Sequence, residues 1–405
     1  MLRYMYAFLS IGVLVCSQKV YKTIIDRTTF LLYTGYPRQE LHAIFSIELS
    51  NTIFLDNTCG VKPQNCPRYC NDVFFATTYC ETVCQFQYAT KDLVCTFDQN
   101  DGFDSYYLSN SKTFKLLNKS TWNSRTWFTD LLSGQLFTDK LVLIGDINDS
   151  YHNLEIKTAV MVRGMMLDEM LFETNGVMVG FGPGENNIIV QLYAQNLIPS
   201  PVALFNFDLM GASLFKIGDY NDESCINWTK HVTQDKDRWV LEVQDLELNG
   251  VKYHRKLKAL ITNHAEFISL PPDFLNKLLK ANVLKQLNKT ESLISRADFY
   301  FDCKRPLKLH VTIDGRELTI PNDLLQDDDP PIDNVCITLF KRHDSMRYNF
   351  ELSLLLGWPF LNEFCISFDY SDEMTIRLAE HAKRNLGETL TTDEVLENCT
   401  ERSLN

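Results

Sequence analysis

Apolar residues along this chain fall in short runs separated by polar turns, and in many runs they alternate with polar ones, the period of half-buried β-strands rather than of helices. Across residues 18–149 the runs are TTFLLYTG, HAIFSIELS, TIFLD, NDVFFATTY and TWFTDLLSGQLFTDKLVLIG, with residues 139–144 read as a strand closed by Gly145 and a polar turn. Residues 158–162 give another strand, and Met165, Met166 and Met170 after it read as adaptable packing. VMVG at 177–180 is apolar throughout and runs into GFGPG, which lacks the spacing and the lysine of a phosphate loop and reads as turn. An amphipathic helix is expected at 187–196. The second half opens with strands at 202–209 and 212–218, then a hairpin, DRWVLEVQDLELNG, turning at Asn249-Gly250. A helix with Pro in its first turn is expected at 272–287. Strands follow at 307–313 and 335–340, buried β structure at 354–367, and SFDYSDEMTIRLA closes the body before a polar tail. QDDDPP, at 326–331, lacks ligand spacing and reads as a solvated loop. The class is all-β with a few short helices.

Two stretches organise this pattern. IFSIELSN at 44–51 and LITNHAEFISLPP at 260–272 each run two bulky apolar residues into a hydroxyl residue, Ser46 or Thr262, as a buried strand does when it ends in a tight loop. Each is followed much later by three apolar residues ending in glycine, VMVG at 177–180 and LLLG at 354–357. The same order used twice predicts two similar lobes facing each other, 18–200 and 201–380.

Composition narrows the setting. With 405 residues, 45% of them apolar, the chain can bury large cores. Its 39 basic against 52 acidic residues, net −13, with no block of Lys and Arg, exclude nucleic acid and anionic membrane as expected partners. MLRYMYAFLSIGVLVCS reads as a signal peptide, 1–17, cut after Ser17, with an apolar run too short to span a bilayer. The expectation is a secreted protein, lumenal and lysosomal compartments included. Sequons at Asn118, Asn148, Asn227, Asn288 and Asn398 fit that compartment. Six cysteines, Cys59, Cys66, Cys70, Cys80, Cys84 and Cys95, lie within an insertion spanning 59–95. In an oxidising compartment they read as three disulfides, with fifteen pairings open, rather than as a zinc site. Removal of Cys16 leaves an odd number of cysteines, hence one thiol free or paired between chains. No cofactor and no metal are expected.

The motifs, in order, resemble the pepsin-like aspartic proteases. YTGYPRQELHAIFSIELSN is similar to the family's entry strand and first Asp-Thr-Gly loop, and SGQLFTDKLVLIG to the strand leaving the flap. FNFDL and ASLFKIGDYND resemble the start of the second lobe. LITNHAEFISLPPDFLNKL resembles the second Asp-Thr-Gly loop, and LLLGWPFLNEFCISFDY the Leu-Gly-Asp-x-Phe-Leu strand with its Phe-Asp close. What the resemblance implies is a bilobal pepsin fold of altered chemistry. The two catalytic aspartates fall on Ser46 and Thr262, the flap tyrosine on Trp127, and the aspartate of Leu-Gly-Asp on Trp358. Neither hydroxyl is a usable base, so loss of both carboxylates removes the reaction. The family's basic masking segment has no counterpart, since residues 18–34 barely supply the first mature strand. Glu48, Asn263, His264 and Glu266 stand at the degenerate site, and the expectation is a plug: a Glu48–His264 ion pair, with Ser46 and Thr262 bonding each other.

The resemblance also implies a Cys303–Cys336 disulfide. That leaves Cys225, Cys365 and Cys399, with Cys365 expected to be a buried free thiol and Cys225–Cys399 to tie down the tail 381–405. The function expected is a secreted, catalytically inactive pepsin-like protein that binds an extended peptide or a secreted protein through the interlobe cleft or the surface. The rival readings are a residual aspartic-type endopeptidase, a hydrolase using Ser46, His264 and Glu48, and a storage glycoprotein.

Overall fold

VMVG and LLLG are short, apolar on every residue and free of polar alternation, the pattern of strands covered on both faces in the middle of a sheet. The computed structural model places both there. It describes residues 21–25, 29–55, 110–124, 132–143, 154–164, 177–207, 213–288, 297–327, 336–343 and 352–382. Strands dominate them.

The first sheet comprises β2 (Thr29–Thr34), β3 (Gln39–Ser46), β4 (Ile53–Leu55), β5 (Lys115–Ser124), β6 (Leu132–Leu143), β7 (Leu154–Gly164) and β8 (Val177–Gly180). Its order is β2-β3-β8-β4-β7-β6-β5, and β2 also pairs with β6, which closes six of the strands into a ring. The second comprises β12 (Val240–Leu248), β13 (Val251–Ile261), β14 (Ile268–Leu270), β17 (Leu309–Ile313), β18 (Arg316–Ile320), β20 (Phe340–Arg342) and β21 (Leu354–Leu356), in the order β18-β17-β12-β13-β21-β14-β20.

One feature repeats in both. Strand β8 lies between β3 and β4, parallel to the first and antiparallel to the second, with Ser46 opposite Gly180. Strand β21 lies between β13 and β14 with the same two senses, Ile261 opposite Leu356. A strand from far downstream is thus inserted between two neighbours in each sheet, and Ser46 and Thr262 occupy equivalent places at the ends of β3 and β13.

A third sheet joins the halves: β1 (Tyr21–Ile25), β10 (Ser213–Ile217), β9 (Val202–Asn206), β22 (Phe364–Asp369), β23 (Thr375–His381) and β11 (Cys225–Val232), in that order. Its apolar face meets both other sheets through aromatic rings. Phe45 stacks on Phe207 at 5.5 Å between centroids, Phe181 meets Phe205 edge-on at 5.4 Å, and Trp239 stacks on Phe368 at 4.7 Å. Trp239 Nε1 and the Tyr370 hydroxyl both donate to the Phe181 carbonyl, at 3.0 and 2.5 Å, so the aromatic layer carries its polar groups satisfied. Burial raises the Tyr370 pKa well above its usual value. A small sheet of β15 (Lys285–Gln286), β16 (Phe299–Phe301) and β19 (Cys336–Ile337) packs beside the second.

Helices are short. Helix α1 (Ile188–Ala194) is capped by Asn187, whose Oδ1 accepts from Ile189 N at 2.7 Å while its Nδ2 donates to Gly182 O at 2.8 Å. Helix α2 (Pro272–Lys280) stops earlier than the expected 287 because Asn282, at φ 52°, turns the chain left-handed and Lys285 and Gln286 pair with β16. The segment 354–367 is not continuous β structure: helix α3 (Trp358–Glu363), with Pro359 in its first turn, separates β21 from β22. No helix among the described residues is long and apolar enough to cross a membrane.

Cys303 and Cys336 are bonded, as the resemblance implies. Cys365 is not a free thiol and Cys225 is not joined to Cys399: the two are bonded to each other. Cys365 stands opposite Ala379 and Cys225 opposite His381, on one face at the same end of the sheet, and the Cα atoms lie 6.0 Å apart, nearer than two flat strand spacings, so the sheet curls there to bring them together. The cysteines of 59–95, Cys399, Trp127, Asn148 and Asn398 lie outside the described residues.

Candidate functional site

The loops that leave β3 and β13 are held by the inserted strands. The N–H of Phe181 donates to Ser46 O at 2.7 Å and that of Gly182 to Leu49 O at 2.7 Å; Thr262 N donates to Leu356 O at 3.1 Å and Trp358 N to Ala265 O at 2.8 Å. Gly180 and Gly357 stand where these backbones meet. A Cβ on Gly180 would run into the carbonyls of Leu49 and Asn51, and one on Gly357 into those of Ala265 and Phe267, so each site requires glycine for close approach.

With both loops fixed, their side chains meet across the approximate twofold. Ser46 and Thr262 are fully buried, and Glu48 and Asn263 keep 9% and 5% of their surface. Ser46 Oγ accepts from Glu48 N at 3.3 Å and Leu49 N at 3.2 Å. Both lone pairs are thereby used, which directs the hydroxyl proton to His264 Nε2 at 2.7 Å and leaves the ring hydrogen on Nδ1. Thr262 repeats the arrangement: its Oγ1 accepts from His264 N at 3.0 Å and donates to Glu48 Oε1.

The pairing is crosswise. The residue two places after each hydroxyl reaches the hydroxyl of the other half, Glu48 to Thr262 and His264 to Ser46, a crossing that the Glu48–His264 and Ser46–Thr262 pairs expected from sequence did not anticipate. Each hydroxyl caps its own loop and is then turned outward to its partner, which fixes the crossing.

His264 is part-buried as a residue, but its Nδ1 is out of contact with solvent, and this burial holds the imidazole at about 3, well below the ordinary value of 6.5. It is the neutral acceptor that the Ser46 geometry requires.

Asn263 breaks the symmetry. Its Nδ2 donates to Phe45 O at 2.7 Å and its Oδ1 accepts from Ile47 N at 3.0 Å, bridging the backbone on both sides of Ser46. Its twofold mate, Ile47, has no polar group to return the bridge. The sequence places Asn263 at the site but gives no sign of this role; the only cue is that an amide alone carries donor and acceptor side by side. Glu266 is exposed and stands outside the circuit. Trp358 packs edge-on against Phe207 at 4.9 Å, part of the aromatic layer rather than a polar site. Among the described residues no group of three or more His, Cys, Asp or Glu side chains is arranged to hold a metal ion.

Chemically, the centre offers one carboxylate, one neutral imidazole and two hydroxyls, tied to one another across the halves. No protein-family model matches the chain, and no curated protein matches it in sequence.

Proposed function

We propose that the chain is a divergent pepsin-like protein of bilobal fold that has lost aspartic-protease chemistry and serves, in or beyond the secretory pathway, to bind an extended peptide or a secreted protein. The twice-used inserted strand, in the order of the pepsin-like motifs, supports the fold. The two disulfides suit an oxidising compartment.

One observation carries the loss of activity. Peptide hydrolysis of this kind needs two carboxylates sharing a proton, one to take a proton from water and the other to give one to the scissile carbonyl. At the strand ends stand Ser46 and Thr262, fully buried and locked crosswise, with Glu48 as the carboxylate that Thr262 binds. Binding in place of cleavage is the use a pepsin-like cleft would keep without its carboxylates, an extended peptide adding there as a strand. The test is incubation of the purified protein with denatured globin from about pH 2 to 7, with and without pepstatin. No cleavage is expected, and pepstatin-sensitive fragments would overturn the reading.

The 2.7 Å contact between Ser46 and His264 favours a second reading, a hydrolase with Ser46 as nucleophile, His264 as base and Glu48 nearby. Against it, Ser46 has no exposed surface and its oxygen already accepts two N–H groups. A fluorophosphonate probe separates the two: labelling at Ser46 that disappears in His264→Ala supports the hydrolase, and an unlabelled protein excludes it.

A further inference from the structure

Among the described strands β11 ends the six-stranded sheet, and no described strand pairs with its outer side. Such edges template pairing with other chains unless something blunts them. This one carries two exposed apolar side chains, Ile226 at 39% and Val232 at 50%, of the few large apolar groups the described surface exposes. Between them the register with β23 slips, from Ile226 to Thr229, and the slip contains Asn227 at φ 58°. Arg316, reaching from β18, donates from Nη1 to Asn227 O at 2.8 Å and pairs through Nη2 with Glu380. Asn227 Nδ2 donates to Glu380 Oε2 at 3.0 Å. The bulge is thus fixed with the Asn227 amide at the exposed surface. Asn227-Trp228-Thr229 is a complete acceptor triplet.

We infer that Asn227 carries an N-linked glycan that covers the outer side of β11 beside the exposed Ile226 side chain. Asn227 Nδ2 forms the C–N bond to the anomeric carbon of a lipid-diphosphate-linked oligosaccharide. The C–O bond to the diphosphate breaks, the diphosphate leaves with the electron pair, and the amide nitrogen gives up one proton. The N–H that remains keeps the bond to Glu380 Oε2. The bulge takes Asn227 out of the ladder and leaves it exposed, and a sugar on it would stand beside the exposed Ile226. Of the other acceptor sites, Asn288 is exposed as well, which makes it the internal reference. The inference rests on the secretory reading given above.

The experiment is expression of the full chain in secreting eukaryotic cells, followed by glycosidase treatment that converts occupied Asn to Asp, and peptide mass mapping. Conversion at Asn227, with one fewer glycan in Asn227→Gln and in Thr229→Ala and retention in Thr229→Ser, is the expected result. No conversion at any sequon overturns the secretory reading; conversion at Asn288 with Asn227 unmodified overturns the Asn227 site alone. Light scattering then tests the shielding. Enzymatic deglycosylation of the folded protein is expected to bring self-association that Ile226→Lys abolishes. A deglycosylated protein whose mass in solution does not rise would overturn the shielding.

Discussion

Asn263 clasps the backbone on either side of Ser46: its amide nitrogen holds the carbonyl of Phe45 at 2.7 Å and its amide oxygen the N–H of Ile47 at 3.0 Å. Both backbone groups are buried, so nothing else replaces the clasp. Asn263→Ala leaves a donor and an acceptor without partners and should cost about 2–4 kcal/mol in urea unfolding. Asn263→Asp keeps the acceptor but sets a carboxylate against the Phe45 carbonyl. It should be at least as destabilising at neutral pH and regain stability as the solution is acidified and the carboxyl acquires a hydrogen to donate. Equal losses at all pH values would mean that the clasp is not what holds the loop.

Stability against pH should show two opposed slopes. His264 is held at about 3 by burial against an ordinary 6.5, so between these values the unfolded chain binds the extra proton and stability falls as pH drops. Glu363 is raised to about 7 from 4.5, first by burial and then by Asp323 and Glu380, so between those values the folded chain binds the extra proton and stability falls as pH rises. From 4.5 to 6.5 the two oppose each other. Relative to wild type, Glu363→Gln should expose the His264 slope, up to about 1.4 kcal/mol per pH unit, and His264→Gln the opposite one, smaller because Glu363 is partly solvated. Unfolding titrations at four pH values resolve both.

Gly357→Ala should destabilise by about 3 kcal/mol or more, since its methyl would displace the Ala265 and Phe267 carbonyls that shape the Thr262 loop. Gly180→Ala should act alike on the Ser46 loop. Gly315, in the open turn between β17 and β18, has no atom within 4 Å of an added Cβ. It sits at φ 76°, so Gly315→Ala pays only backbone strain and should lose about 1 kcal/mol, a control by thermal unfolding.

Cys225 and Cys365 should appear as a linked peptide pair in a non-reduced digest, with no alkylation of Cys365 in the denatured, unreduced protein. Replacing both with serine removes a cross-link over 140 residues and should cost about 3–5 kcal/mol.

Much of the β architecture was legible because strand ends and strand burial write themselves locally. VMVG and LLLG announce centre strands by having no polar residue, and Asn249-Gly250 announces its hairpin by the left-handed angles both residues adopt, φ 48° and 84°. What depends on which strand lies beside which was not legible. The Cys225–Cys365 bond depends on β11 and β22 both lying beside β23 and on the curl that brings their ends together, neither of which any spacing encodes. Residues 354–367 hide helix α3 because Trp358, Phe360 and Leu361 are as apolar as a strand would be. Ser46, Glu48, Thr262 and His264 were placed together by the twofold echo, whereas Glu266, named with them, is exposed and outside the circuit. The crosswise partners of Ser46 and Thr262 were not legible, because a side chain's reach across an interface is set by loop offset, not by equivalence of position.

The clasp also imposes an order on synthesis. Phe45 O and Ile47 N lie 218 and 216 residues before the side chain that satisfies them. On a growing chain the first sheet has all its described strands once Gly180 has emerged, yet the loop at Ser46 keeps two open backbone groups until Asn263 arrives, and the second half is not closed until β21. Contacts so distant in sequence close slowly, and half-made molecules expose the surfaces they await. A chain that stalls between residues 180 and 263 would present a closed ring of strands with an unfinished loop.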